Sequence, residues 1–177
     1  MRDFLEDLTK DELIALVESY AKDIVAMDGV WFQAAEQSFG MDVAVEQDKL
    51  AWRRFAASEG RRLTRLLSLE EHPGLRGLEQ VLRMRYSSQA NGNVSISWEN
   101  PGADDEALVY TVGDCRVQRA RARKGMAFHP CKSVGVVEYQ GIAEAVDPRI
   151  VCECLSCFPE VTDESCCCKW RFTLREK

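Results

Sequence analysis

The chain has 177 residues, enough for one domain that buries most of its apolar surface. An apolar fraction of 46% with 29% charged residues fits an ordinary globular protein, and the net charge of −6 argues against non-specific binding to nucleic acid or anionic membrane. The opening Met-Arg-Asp-Phe-Leu-Glu-Asp-Leu is acidic and has no unbroken apolar run, so neither a secretory signal nor a membrane span is expected there, and the expected location is the cytoplasm.

Thr9 followed by Glu12 is a capping box. After it Leu13, Val17, Tyr20, Ile24, Met27 and Trp31 repeat at helical spacing, which predicts a long amphipathic helix to about Ser38. Phe39-Gly40 ends it, Asp42 can cap a second helix, and Val45, Leu50, Trp52, Phe55, Leu63, Leu66 and Leu67 give that helix its apolar positions. The two are expected to pair as a hairpin. Asp28, Phe32 and Glu36 fall at i, i+4 and i+8, as do Asp48, Trp52 and Ala56. These carboxylates and Glu59 read as solvated, or as salt-bridged to Arg53, Arg54, Arg61 and Arg62. The bundle signature Glu-x-x-His is missing. His72-Pro73-Gly74 breaks the chain, and Leu75, Leu78, Val81 and Leu82 predict a short third helix.

Beyond Tyr86 the pattern changes to strands. Val94, Ile96 and Trp98 alternate with polar residues, and Ala107 to Val117 reads as a second strand carrying Cys115. Arg116, Arg119, Arg121, Arg123 and Lys124 read as a solvated strand end near a turn at Gly125, with an anion or carboxylate clamp as the sharper alternative. Pro130 suits the entry to a helix from about Cys131 to Val146, which would put Cys131 among unpaired N–H groups that favour thiolate. His129 lies two residues away across a proline, a spacing that seldom brings both side chains to one reacting centre.

Six of the eight cysteines lie between Ile150 and Leu174. Ile150, Cys152 and Cys154 alternate on one arm, and Cys166, Cys168, Trp170, Phe172 and Leu174 on the other. A turn near Glu160 would set Cys154 opposite Cys166 and Cys152 opposite Cys168, with Cβ atoms about 4.5 to 5.5 Å apart. In a reducing compartment such a cluster points to a metal site, redox chemistry or plain burial. The best metal set is Cys154, Cys157, Cys166 and Cys168, holding zinc or alternatively iron or an iron–sulfur cluster.

Together these elements predict an α+β fold: a long N-terminal helical hairpin and further helices packed on a C-terminal four-stranded antiparallel sheet. A single domain spans 1–177, with helices in 1–86 and the sheet, a crossover helix and the Cys-rich hairpin in 87–177. Asp28-Gly-Val-Trp31-Phe32, Glu36, Phe39-Gly40, Asp48, Trp52, Cys115-Arg-Val-Gln-Arg-Ala-Arg, Cys131, Asp147-Pro-Arg-Ile, Cys154-x-x-Cys157-Phe-Pro and Cys168-Lys-Trp-Arg-Phe resemble a prokaryotic cytosolic family of unknown function over nearly the whole chain. That likeness implies no activity. More distantly, a cysteine at a helix start, one on the next strand and a final Cys-x-x-x-Phe strand resemble the L-2-amino-thiazoline-4-carboxylic acid hydrolase family and 4-vinyl reductase-type small-molecule-binding domains. The matching positions are Cys131, Cys152 and Cys168.

Three functional readings stay open. The first is a binding or sensor module for a small molecule or metal ion, with a thiolate site in the hairpin and a cavity between helices and sheet. The second is an enzyme using Cys131, either a hydrolase of a carbon–nitrogen bond or a thiol redox enzyme. The third is a homodimerising structural protein with inert cysteines.

Overall fold

The computed structural model describes residues 2–175. Seven helices and four strands follow in the order α1 (Arg2–Glu6), α2 (Lys10–Phe39), α3 (Met41–Leu66), α4 (Gly74–Met84), α5 (Tyr86–Ala90), β1 (Gly92–Glu99), β2 (Ala107–Asp114), α6 (Arg116–Arg123), α7 (Lys132–Val146), β3 (Ile150–Cys157) and β4 (Cys168–Leu174). The strands form an antiparallel sheet in the order β1-β2-β4-β3, so the α+β architecture is the one the periodicities predict. No helix among the described residues is long and apolar enough to cross a membrane.

Thr9 caps α2 with the reciprocal Glu12 contacts of a capping box. Gly40, at φ 85°, lets the chain reverse at once into α3. The face that α2 buries differs from its most regular apolar stripe. Ala21, Val25 and Phe32 are buried, whereas Val17, Tyr20, Met27 and Trp31 are exposed. The small residues win because α5 packs closely on this helix: Ala21 and Val25 cluster with Ala90 of α5. On α3 the buried residues are Ala44, Asp48, Trp52, Ala56, Glu59 and Gly60, so that helix turns two carboxylates inward.

Helix α7 lies between α3 and the sheet. Glycines set both approaches. A Cβ on Gly60 would come 2.6 Å from the Ala145 Cβ, and one on Gly135 would come 2.6 Å from the Trp170 ring. The core between them is apolar, with Leu78, Leu82, Leu108, Ile142, Trp170 and Phe172 fully buried. Asp147, at the end of α7, accepts from the Gly74 N–H (3.0 Å) and from Arg149, tying α4 to the α7–β3 connection.

One predicted boundary and one predicted register move. The second strand ends at Asp114, and Arg116–Arg123 is a helix, because its arginines alternate with Val117, Gln118, Ala120 and Ala122 at positions a helix can divide between core and solvent. In the Cys-rich hairpin a bulge at Leu155 shifts the register. Cys152 faces Phe172, Cys154 faces Trp170 and Cys157 faces Cys168, in place of the expected 154–166 and 152–168 pairs.

Candidate functional site

A cavity of about 300 Å³ opens where α2, α3, α6 and α7 meet the inner face of the sheet. Phe32, Trp52, Tyr86, Tyr139 and Trp170 supply much of its wall, and Asp28, Asp48, His129, Cys131, Glu138 and Cys157 supply its chemistry.

Cys131 sits directly before α7, as the spacing predicts. Gln118 of α6 fixes the segment that carries it. The Gln118 side chain accepts from the His129 N–H (2.9 Å) and donates to the His129 carbonyl (2.8 Å) and to the Cys131 sulfur (3.1 Å). As a thiol, Cys131 donates to the His129 carbonyl at 3.2 Å; as a thiolate it accepts from Gln118. The buried His129 ring packs at a tilt against Phe32, with a centroid distance of 4.3 Å, and turns Nε2 toward Asp48 Oδ2 at 3.4 Å. A histidine and a cysteine two residues apart thus share one wall after all. Pro130 and the Gln118 clamp hold the intervening backbone so that the ring and the sulfur both face the cavity.

Charge follows from this geometry. The Cys131 thiol is lowered to about 5, first by its hydrogen bond with Cys157, then by His129 and Gln118 acting against burial. Burial works against the His129 charge, but Asp48 and Cys131 raise the imidazole to about 9. The Cys131 sulfur raises the imidazole by its close polar contact first and by charge attraction second. Cys157 moves the opposite way. It stays a thiol because its contacts with Cys131 and Cys168 and its burial all raise it. Of this coupled pair Cys131 is the one that ionises, since it alone also faces the imidazole and Gln118. Asp28 is raised to about 7 by burial and by the neighbouring negative charges of Asp48 and Glu138.

Behind the cavity Arg85, which is fully buried, binds Glu59 (3.0 Å) and Glu138 (2.6 Å). Tyr86 donates to the same Glu138 carboxylate at 3.1 Å. Asp28, Glu36, Asp48 and Glu59 are therefore not a solvated face. Glu36 takes a bidentate grip from Arg121 (2.7 and 2.8 Å), Glu59 meets Arg85, Asp48 meets His129 and Asp28 lines the cavity. The basic run does contain a carboxylate clamp; its carboxylate is the chain's own Glu36.

The expected metal quartet does not converge. Cys157 faces Cys168, but Cys154 lies opposite Trp170, and Cys166 falls outside β4 with its sulfur directed at the Asp163 carbonyl. Among the described residues no group of three or more His, Cys, Asp or Glu side chains is arranged to hold a metal ion. Burial pushes the Cys154 thiol up to about 11 and the Cys115 thiol up to about 12. Cys152 is also raised by burial. Asp48, Gln118, Asp28 and Glu138 are the cavity residues that sequence spacing does not reveal. Asp28 and Asp48 leave a trace in their two i, i+4, i+8 series, in which Phe32, Asp48, Trp52 and Ala56 are buried.

Neither a curated protein nor a solved structure matches the chain. One family model does, over residues 6–174. The chain belongs to the family of unknown function DUF6125.

Proposed function

We propose that this protein is an enzyme that transforms a small molecule through a covalent adduct on Cys131. The observation that carries this reading is the meeting of Cys131, buried His129 and buried Asp48 on the wall of one cavity, at the lower end of the usual size range for small-molecule sites.

In this scheme the Cys131 thiolate attacks an electrophilic carbon that bears a nitrogen leaving group, and a sulfur–carbon bond forms. The carbon–nitrogen bond then breaks, its electron pair leaves with nitrogen, and the His129 imidazolium supplies the proton. Water, deprotonated by the now neutral His129, cleaves the sulfur–carbon adduct and regenerates the thiolate. Asp48 orients the imidazole and stabilises its charge. Carbon–nitrogen chemistry agrees with the likeness to the amino-thiazoline hydrolases, and Cys131 and Cys168 among the three matching positions both line the cavity.

Competitive alkylation with a limiting amount of iodoacetamide at about pH 6, followed by peptide mapping, tests this reading. Cys131 is expected to react roughly tenfold faster than any other cysteine. Uniformly slow labelling of all eight would overturn the reading and favour a binding module without covalent chemistry.

A further inference from the structure

The hydrolytic scheme uses Cys157 only as a hydrogen-bond partner of the Cys131 sulfur and gives its thiol no covalent task. Its side chain is 1% exposed, lines the same cavity, and lies between Cys131 and its cross-strand partner Cys168. The backbone holds it there independently of side-chain contacts. The Lys132 N–H donates to the Phe158 carbonyl at 2.8 Å, which joins the residue after Cys131 to the residue after Cys157. The bulge at Leu155 is what brings Cys157 onto the face of the sheet that meets α7.

We infer that Cys157 is a resolving thiol for Cys131, so that the cavity is a site of reversible oxidation by small hydroperoxides. The Cys131 thiolate attacks the terminal oxygen of a hydroperoxide; the oxygen–oxygen bond breaks, sulfur is oxidised to sulfenic acid, and the alkoxide leaves as an alcohol after taking a proton from His129 or water. Cys157 sulfur then displaces hydroxide from the Cys131 sulfenic acid. Its own proton leaves with that hydroxide as water, and the Cys131–Cys157 disulfide forms. A dithiol reductant returns both thiols and is itself oxidised to a disulfide. Cys157 fits this task because it is a neutral thiol held beside the reactive sulfur, while Cys154 lies opposite Trp170 and Cys166 turns its sulfur to the Asp163 carbonyl.

The inference rests on Cys131 being the reactive thiol of the proposed enzyme, and one experiment separates the two. The reduced full-length protein is treated with stoichiometric hydrogen peroxide and analysed by intact mass and peptide mapping, together with Cys157→Ser and Cys168→Ser, each checked for native circular dichroism. Wild type and Cys168→Ser are expected to lose two hydrogens and yield a peptide joining Cys131 to Cys157. The Cys157→Ser protein is expected to lose that cross-link and instead gain one oxygen on Cys131 that dimedone traps. Oxygen added to Cys131 in wild type without a link to Cys157, or a link to Cys168 instead, overturns the resolving role alone. A Cys131 that takes up no oxygen and forms no disulfide in any variant overturns both the role and the reactive thiol beneath it. Should Cys157→Ser fail its fold check, the wild-type and Cys168→Ser cross-link map decides.

Discussion

The proton that Cys131 would hold in water sits on His129 instead. An ordinary thiol near pH 8.5 and an ordinary imidazole near about 6.5 would both be neutral around pH 7.5. Here the thiol is lowered and the imidazole raised, so the pair is charged across that range. The signs give a stability profile. Cys131 is depressed, so its contribution is complete above the ordinary thiol value and is lost as pH falls through about 5. His129 is raised, so its contribution is complete below the ordinary imidazole value and is lost as pH rises through about 9. Between the two ordinary values this pair binds nearly the same number of protons in folded and unfolded chains, while Asp28, raised to about 7, adds stability that is lost as pH rises through that value. Thermal melts should therefore level off between about 7 and the ordinary thiol value and fall above it, and His129→Asn should remove that alkaline loss. The same variant should move the pH midpoint of Cys131 alkylation upward by a unit or more, since an interaction of about 1.4 kcal/mol corresponds to one unit. Asp48→Asn should move it the same way by less, because it acts only through the ring. An unchanged midpoint in both would remove His129 from the site.

At the level of elements, close approach rather than hydrophobic area positions α7. Gly135→Ala would drive a methyl into the Trp170 ring, and Gly60→Val would force α3 away from Ala145. Each should cost about 1 to 3 kcal/mol in denaturant melts, with Gly135→Ala also disturbing the cavity wall beside Cys131. Asp147→Ala should cost about 2 to 3 kcal/mol, because it leaves the Gly74 N–H without its acceptor and the Arg149 head with the His72 carbonyl alone. Most elements were legible in the sequence because their apolar periods are clean: the capping box at Thr9, the alternation of Val94, Ile96 and Trp98, and the start of α7 at Pro130. Register was not, since a period of two marks neither how long the connection between the strands is nor the extra residue at Leu155: Cys154 already pairs with Trp170 before the bulge, and the bulge then sets Cys157 in place of Ser156 opposite Cys168. Helix α6 was hidden by arginine, whose charge reads as solvent even where, as with Arg121, the side chain is buried on a carboxylate.

Across the whole molecule, polar groups far apart in the chain are spent on holding one cavity together. Arg85 joins α3 to α7 through Glu59 and Glu138, and Arg121 joins α6 to α2 through Glu36. Replacing Arg85 with Met would strand two buried carboxylates and should cost about 3 to 5 kcal/mol, measurable as a loss of urea midpoint. These long-range pairs explain why the site was only partly readable. Helical spacing put Asp28, Glu36, Asp48 and Glu59 on faces but could not name partners from distant segments, so their nearest arginines in sequence looked sufficient. The most regular apolar stripe of α2 misled for the same reason. Val17, Tyr20 and Met27 stay exposed because Ala21 and Val25 make the closer fit to α5.

The central claim is that Cys131 is a thiolate at neutral pH. Its most direct measurement is the ultraviolet thiolate absorbance of the native protein, titrated against that of Cys131→Ser. The difference curve should describe one thiol with a midpoint well below the ordinary value near 8.5. A midpoint at or above that value would contradict the claim.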